Sequence, residues 1–436
     1  MKDKKQNKRI NGGHRLLFFC ILCLFGLYVA VSYAGEQTQR EQSKTKVILL
    51  HTDNLTYDQY RHPGAQILTG NVQFQHDGVL MYCDSACFYE ATNSFDAFGH
   101  VKMVQGDTLD LVGDMLLYNG LDQLARVRHN VVLTHRESKL YTDSLDYDRL
   151  YELGYFFEGG RLVDKDNVLT SDWGQYSPPT RQAVFNYNVK LENPKFTLIS
   201  DTLNYNTQTS MAEIVGPSNI DSGDNHIYSE SGFYNTQTEE AILLDRSIVT
   251  NKGRKMVGDS LYYDSKSGVG EGFRNVVYTD EVNKNMLTGN YCYYNDSTGY
   301  SMATDSAVAI DYSQRDTMYM HADTFKVYTF YMDTDSMYRE VRGYHKVRSY
   351  RMDVQSVCDS LVFDSRDTCI TMYRDPIVWN GGQQVLGEVI KVYLNDSTID
   401  RIHVIDQTLS VERIDSVHYN QVAGKEMISY FRDGEM

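Results

Sequence analysis

The amino-acid sequence predicts an all-β chain built as a stack of repeated units of about 29 residues. Three observations lead to this fold class. A short phrase recurs at a nearly constant interval, apolar and polar residues alternate beside each copy, and the composition favours strands. The 436 residues include 34 tyrosines but only 6 prolines. Aromatic and β-branched side chains suit the half-buried surface of a sheet, and short strands cut by turns indicate an all-β chain.

The recurring phrase reads Asp, any residue, Leu, any residue, Tyr, then Asn or Asp, as in residues 201–206 and 259–264. The steps between nine successive starts are 31, 30, 29, 29, 29, 29, 29 and 31 residues. A period of this kind indicates a repeat architecture in which each unit covers its neighbours. The nine copies and close variants begin at Asp53, Asp84, Asp114, Asp143, Asp172, Asp201, Glu230, Asp259 and Asn290.

Residues 1–34 have the pattern of an export signal. Six Lys and Arg residues precede an apolar run from Leu16 to Val31, and the small residues of Ser32-Tyr33-Ala34 follow it. This order is typical of a secretory signal, although the run also approaches the length of a membrane anchor. We expect export with either cleavage after Ala34 or anchoring by residues 16–34. Residues 35–46 read as a polar linker.

Each unit contains two apolar pairs. In the copy at Asp201, Leu203 and Tyr205 have the same strand parity, so both point to one face of the sheet. A second landmark, Gly or Asn followed by Val, provides another alternating pair, as in residues 70–74 and 99–103. We expect both pairs to face an interior. We expect the repeated Asp to start a strand and to accept backbone N–H bonds from a turn.

After Asn290 the period loosens, although residues 359–364 keep the phrase. We therefore predict a boundary near residue 315, with regular repeats over 47–315 and looser repeats over 316–436. Five cysteines lie beyond the signal, and Cys358 and Cys369 flank a predicted turn. A disulfide between them and buried free thiols are both open.

The sequence contains no recognisable catalytic or metal-binding motif. Nucleophile elbows, phosphate-binding glycine loops and zincin helices do not occur, and the 12 histidines are scattered. Each unit offers one repeated Asp, whereas a calcium site needs several carboxylates in one turn. We expect no metal, no cofactor and no enzymatic activity. The net charge of −16 argues against nucleic-acid binding, which needs Lys and Arg for phosphate neutralisation.

Some copies of the phrase also fit a short bacterial acceptor pattern for O-glycosylation, Asp followed by Ser or Thr and an aliphatic residue. Strand parity places the Ser or Thr on the face opposite Leu, which predicts access from solvent. Residues that favour strands produce the same triplets without any modification, so glycosylation and a purely structural role both stay open. The four triplets are 84–86, 143–145, 201–203 and 259–261.

The phrase and the Gly-Asn-Val landmark, behind an export signal, resemble the OstA/LptA family of periplasmic lipopolysaccharide-transport proteins. They are also similar to the N-terminal domain of the outer-membrane lipopolysaccharide assembly protein. The resemblance covers residues 47–300 well and continues loosely through 358–363 and 375–379. It implies a twisted, open β-jelly-roll, or β-taco, whose groove carries lipid A acyl chains. Because the chain has about twice the length of one module, we expect two or more fused modules.

The resemblance also implies partners and a compartment. We expect periplasmic localisation, with anchoring to the inner membrane by residues 16–34 and association with the outer membrane both open. We also expect binding of lipopolysaccharide through lipid A, edge-strand pairing with other transport components that bridges the periplasm, and, as an open alternative, head-to-tail self-association. Two other functions stay open, a secreted structural or adhesion protein with a filled core and a carbohydrate-active β-helix enzyme. The candidates for lining the lipid groove are Leu55, Tyr57, Val72, Phe74, Val101, Met103, Leu116, Tyr118, Val131, Leu133, Leu145, Tyr147, Leu203, Tyr205, Leu261 and Tyr263.

Overall fold

The computed structural model describes residues 45–313, 316–332, 334–352, 354–395 and 398–431. The predicted signal or anchor over residues 1–34, and all of the linker except Thr45 and Lys46, lie outside these ranges. The described chain is one antiparallel sheet of 32 strands, with a single turn of 3-10 helix at Glu90–Thr92. The all-β prediction is confirmed. No helix in the described ranges has the length and apolarity to span a bilayer.

The long strands follow one another as an antiparallel meander, and in places two short strands that do not pair with each other take the place of one long strand. Through residue 280 they are β1 (Ile48–His51), β2 (Asn54–Tyr57), β3 (Gln66–His76), β4 (Val79–Tyr89), β5 (Ser94–Gln105), β6 (Leu109–Asn119), β7 (Leu124–His135), β8 (Ser138–Asp148), β9 (Leu153–Phe156), β10 (Gly160–Asp164), β11 (Asn167–Ser171), β12 (Trp173–Ser177), β13 (Gln182–Asn193), β14 (Phe196–Asn206), β15 (Met211–Ser222), β16 (Asn225–Asn235), β17 (Glu240–Leu244), β18 (Ile248–Asn251), β19 (Arg254–Val257), β20 (Ser260–Asp264) and β21 (Val269–Asp280).

The meander continues across residue 315, where β23 pairs with β24. The remaining strands are β22 (Asn285–Asn295), β23 (Tyr300–Asp311), β24 (Met318–Phe330), β25 (Tyr338–Tyr350), β26 (Val354–Asp364), β27 (Cys369–Tyr373), β28 (Ile377–Asn380), β29 (Gln383–Leu386), β30 (Val389–Asn395), β31 (Thr398–Arg413) and β32 (Tyr419–Tyr430).

Each long strand bends near its middle, so the sheet has two halves. Between β5 and β6 the register shifts after Phe98 pairs with Met115 and resumes where Val101 pairs with Gly113. We name the two sides the Tyr half, here 94–98 and 115–119, and the Val half, here 101–105 and 109–113. Short strands such as β9 and β10 are the two halves of one such strand, interrupted at the bend.

The bend is made by consecutive residues with left-handed backbone. In β3 these are Gly70 and Asn71, with φ of 83° and 48°. Glycine adopts positive φ without a steric penalty, and Asn tolerates it better than most residues. This conformation explains the Gly and Asn of the second landmark. The same doublet occurs at 99–100, 129–130, 187–188 and 274–275.

The repeated Asp lies at this bend. The prediction that it starts a strand is confirmed where the strand is interrupted, as at Asp172 and Asp259, which directly precede β12 and β20, and is wrong where the strand is continuous. Asp84, Asp114 and Asp143 fall in the middle of β4, β6 and β8. The carboxylate accepts a side-chain hydrogen bond from the doublet of the neighbouring strand rather than from turn amides. The Asn-to-Asp distances are 2.7 Å for Asn130 and Asp114, 2.6 Å for Asn188 and Asp172, and 2.9 Å for Asn275 and Asp259.

Apolar residues between the two halves form two hydrophobic clusters. The first extends from Val47 to Leu261 and the second from Val276 to Val404. The core therefore divides between Leu261 and Val276, while the sheet itself is continuous there through β20 and β21. The predicted module boundary near residue 315 stays a prediction.

Candidate functional site

The space between the two halves holds most of the predicted groove residues. Thirteen of the sixteen are at most 3 % exposed, and Tyr263 is half-buried. Strand parity therefore identified the inward faces correctly, as expected for a side-chain period of two. The buried thirteen are Val72, Phe74, Val101, Met103, Leu116, Tyr118, Val131, Leu133, Leu145, Tyr147, Leu203, Tyr205 and Leu261.

Leu55 and Tyr57 are the exceptions, with 53 % and 60 % of their surface exposed. Leu55 pairs with the buried Leu68, so it lies on the interior face as expected. However, β2 is an end strand of the described sheet and pairs only with β3, so no further strand packs beyond it. Leu55 and Tyr57 therefore lie at an uncovered end of the interior, and their place in a lipid groove stays a prediction.

Aromatic side chains from opposite halves meet in the first cluster. Phe74 of the Val half stacks on Phe95 of the Tyr half, with ring centroids 4.1 Å apart. Farther along, Phe196 packs edge-on against Tyr234 at 4.7 Å. Such contacts span the full separation of the two halves. The interior at these levels is therefore filled by the protein's own side chains.

Tyrosines of the phrase tie the two halves together at the end opposite the bend. Tyr118 bonds to His76 Nδ1 at 2.6 Å and accepts a hydrogen bond from Arg149. Tyr176 bonds to His135 Nδ1 at 2.7 Å. In each case the histidine is the last residue of a Val-half strand, 42 or 41 residues earlier in the chain. We call these contacts tyrosine rungs.

A third rung uses an acid in place of a histidine. Tyr205 donates to Asp164 Oδ2 at 2.7 Å, and Asn167 Nδ2 donates to the Tyr205 oxygen at 2.9 Å. Ser138 donates to the other carboxylate oxygen of Asp164 at 2.8 Å. Because Asp164 is 1 % exposed, these donors replace the water that its carboxylate would otherwise need.

Burial keeps the phenols of Tyr118 and Tyr205 and the ring of His135 neutral. It raises the pKa of Tyr118 and Tyr205 above the ordinary value for a phenol, so both stay protonated donors. It lowers the pKa of His135, and the nearby positive charges of Arg136 and Arg181 lower it further. The His135 ring is therefore neutral near pH 7 and suited to a hydrogen bond with Tyr176.

The interior changes character after the first cluster. One register row of the Val half carries bulky residues, all at most 1 % exposed: Phe74, Met81, Met103, Leu111, Leu133 and Leu140. The equivalent row farther along the sheet reads Tyr278, Leu287, Ala309, Met320, Ser349 and Ser356.

Small side chains gather around β23 to β26. Ala303, Ala307, Ala322 and Gly343 face the interior there beside Ala309 and the two serines. Their apolar neighbours Leu287, Met320 and Val341 are only partly buried. These strands therefore enclose less protein volume than β3 to β8, and part of their apolar lining is accessible. The loosened period after Asn290 was the sequence signal for this change.

The family comparison agrees with the repeat geometry. Residues 44–201 and, again, 195–259 match the model of a family described as OstA-like protein. Residues 44–259 belong to the OstA-like protein family. The suspected resemblance is confirmed, and the OstA-like segment ends at residue 259, close to Leu261, the last residue of the first cluster. The family is one of transport and binding proteins, in general periplasmic. No curated protein matches the chain.

Other site predictions have mixed outcomes. In the OstA-like segment Ser144 is 1 % exposed, so a glycosylation site there is wrong. Arg128 of β7 is the register partner of Ser144. The Arg128 guanidinium donates to Leu145 O and to Asp146, which follow Ser144 on β8, so the Arg128 side chain lies over Ser144. Cys358 and Cys369 are both free thiols. Within the described ranges, no group of three or more His, Cys, Asp or Glu is placed to hold a metal ion.

Proposed function

We propose that this protein binds the acyl chains of a lipid, namely lipid A of lipopolysaccharide, and acts in lipopolysaccharide transport in the periplasm. Membership of the OstA-like family supports transport and binding as the general role. The single observation that carries the finer proposal is the partly exposed apolar interior between the two sheet halves at β21 to β27.

The proposal places the lipid in the second cluster rather than the first. The first cluster is filled by aromatic contacts such as Phe74 on Phe95 and is closed by tyrosine rungs. In the second, the small residues of β23 to β26 leave room for another apolar group. This site lies beyond the segment that matches the family, so the proposal departs from a simple transfer of function by resemblance.

The dimensions and energetics suit an acyl chain. Seven strands spaced about 4.8 Å apart extend for about 29 Å, whereas one leaflet of a bilayer core is about 15 Å thick. Each methylene removed from water contributes about 0.8 kcal/mol. An interior lined by Leu287, Met320 and Val341 therefore provides the continuous apolar contact that a lipid needs in an aqueous compartment.

The end strands support a proposal about partners. Among the described residues β32 pairs only with β31, and its side chains Val422, Ile428 and Tyr430 are 57 %, 46 % and 67 % exposed. An unpaired strand edge invites strand addition by another chain. We propose that another lipopolysaccharide-transport component, or β1 and β2 of a second copy, pairs at β32 and extends the sheet head to tail.

A second candidate function is a structural repeat protein with a filled core. The packed interior of residues 68–261 favours this function for the OstA-like segment itself. The two candidates make opposite predictions for β23 to β26, because only lipid binding requires open volume there.

An interior-filling substitution separates the two. Ala309→Leu and Ser349→Leu rebuild the bulky row seen in the first cluster. If lipid occupies this space, lipopolysaccharide that copurifies with the full chain, measured by mass spectrometry, should fall at least several-fold while the fold survives. Val308→Leu, on the neighbouring outward position of β23, is the matched control. Unchanged lipid content in the two interior variants would contradict the proposal.

A further inference from the structure

One rung of the tyrosine series is broken. Tyr147 and Gln105 are 42 residues apart and hold the positions of Tyr118 and His76 one unit along. Gln105 is the last residue of β5, as His76 is of β3. Yet Tyr147 Oη and Gln105 Oε1 are buried atoms with no hydrogen-bond partner among the described residues. Two groups that bond across the interior in neighbouring units are here left unpaired.

The orientation of both groups is fixed by their surroundings. Gln105 Nε2 donates to Glu152 Oε1 at 2.8 Å, so the amide oxygen is the atom left without a partner. Tyr147 is 0 % exposed, and burial raises the pKa of its phenol, which keeps it a proton donor. The site therefore offers one buried donor and one buried acceptor. Leaving either unsatisfied is costly, so a partner is expected.

A polar cavity of about 290 Å³ lies at this position, lined by Gln105, Tyr147, His135, Glu152, Arg136 and Arg181. One water molecule takes up about 30 Å³ of liquid, so a larger group fits. Within the described chain neither guanidinium forms an ion pair, and both lie close enough to His135 to lower its pKa. The lining therefore carries two guanidinium groups and one carboxylate, Glu152, which already accepts a hydrogen bond from Gln105.

We propose that this cavity binds a phosphate group that still carries a proton. Its oxygens would accept hydrogen bonds from Tyr147 and the two arginines, and its P–OH would donate to Gln105 Oε1. Sulfate has no proton to give at neutral pH and leaves Gln105 unpaired. The phosphate can be the free ion or the monoanionic form of a monoester, such as a lipid headgroup, which keeps one P–OH. This inference goes beyond the proposed function, because the cavity lies in the filled first cluster.

The test uses the full chain in phosphate-free buffer at pH 7, with inorganic phosphate, sulfate and glycerol phosphate as calorimetric probes. We expect phosphate to bind more tightly than sulfate. Tyr147→Phe, which removes only the hydroxyl, should weaken phosphate binding about tenfold. Arg136→Gln and Arg181→Gln should each weaken it by at least as much. Tyr187→Phe, at a residue 61 % exposed, is the matched control and should change nothing.

Gln105→His gives an independent test, because it rebuilds the histidine rung that neighbouring units use. We expect it to abolish phosphate binding and to raise the melting temperature, which separates loss of the site from loss of the fold. Binding of glycerol phosphate as tight as that of phosphate would assign the site to a headgroup, and binding of phosphate alone would assign it to the free ion. No binding at millimolar phosphate, or binding that Tyr147→Phe and Gln105→His leave unchanged, would overturn the proposal.

Discussion

The hydrogen bond from Tyr205 to Asp164, the third tyrosine rung, should contribute measurably to the free energy of unfolding. Tyr205→Phe removes one hydroxyl and keeps the ring in the core. The loss leaves Asp164, a carboxylate that is 1 % exposed, with the Ser138 hydroxyl as its remaining side-chain donor. Hydrogen bonds to charged groups contribute about 1.5–3 kcal/mol, and a buried charge that loses a donor costs the upper part of that range. We expect a destabilisation of about 2–3 kcal/mol.

The assay is urea unfolding followed by far-UV circular dichroism, with Tyr187→Phe as the matched control. Repeat proteins can unfold in parts, so a single free energy of unfolding for the whole chain is not used. The variants are compared by the urea transition in which the first cluster unfolds. The control residue is 61 % exposed and should shift the transition by less than about 0.5 kcal/mol. A Tyr205→Phe variant as stable as the control would refute the reasoning that the rungs hold the halves together.

Two further predictions concern the bend and the pH dependence. Asn275→Ala should lower the free energy of unfolding by about 1–2 kcal/mol, because it loses the hydrogen bond to Asp259 and places alanine at a φ of 50°. Asn275→Gly loses the same hydrogen bond, but glycine tolerates that φ, so this variant should be destabilised less in the same unfolding assay. His135 has a lowered pKa in the folded state, so the unfolded chain binds the proton more readily and stability falls as pH drops below about 6.5. Between pH 7.5 and 5, the melting temperature should fall less in the His135→Asn variant than in the unchanged protein. An equal fall in both proteins would contradict the prediction.

The parts of the fold that depend on strand parity could be predicted from the sequence. Leu203 and Tyr205 are inward because side chains alternate with a period of two, whatever the strand's neighbours are. The role of the repeated Asp could not be predicted in the same way. A left-handed doublet inside a long strand resembles a strand break in sequence, so Asp84 looked like a strand start although it lies within β4.

The candidate site was predicted only in part, for a similar reason. The rungs join residues 41 or 42 positions apart, and neither His76 nor Asp164 stands in a recognisable relation to its tyrosine until the bend is known. The open interior near Met320 was signalled by the loosened period after Asn290. From the sequence, however, we predicted only a boundary near residue 315 from this signal, whereas the proposed lipid site lies in the same region.

Photo-crosslinking in cells tests the lipid proposal most directly. A photoreactive residue at Met320, partly buried in the second cluster, is compared with one at Tyr205, 0 % exposed in the first, and one at Tyr187 on the outer surface. We predict crosslinks to lipopolysaccharide at Met320 and none at the other two positions. Only intraprotein crosslinks at Met320, or equal lipopolysaccharide crosslinking at Tyr187, would contradict a lipid-binding interior in β21 to β27.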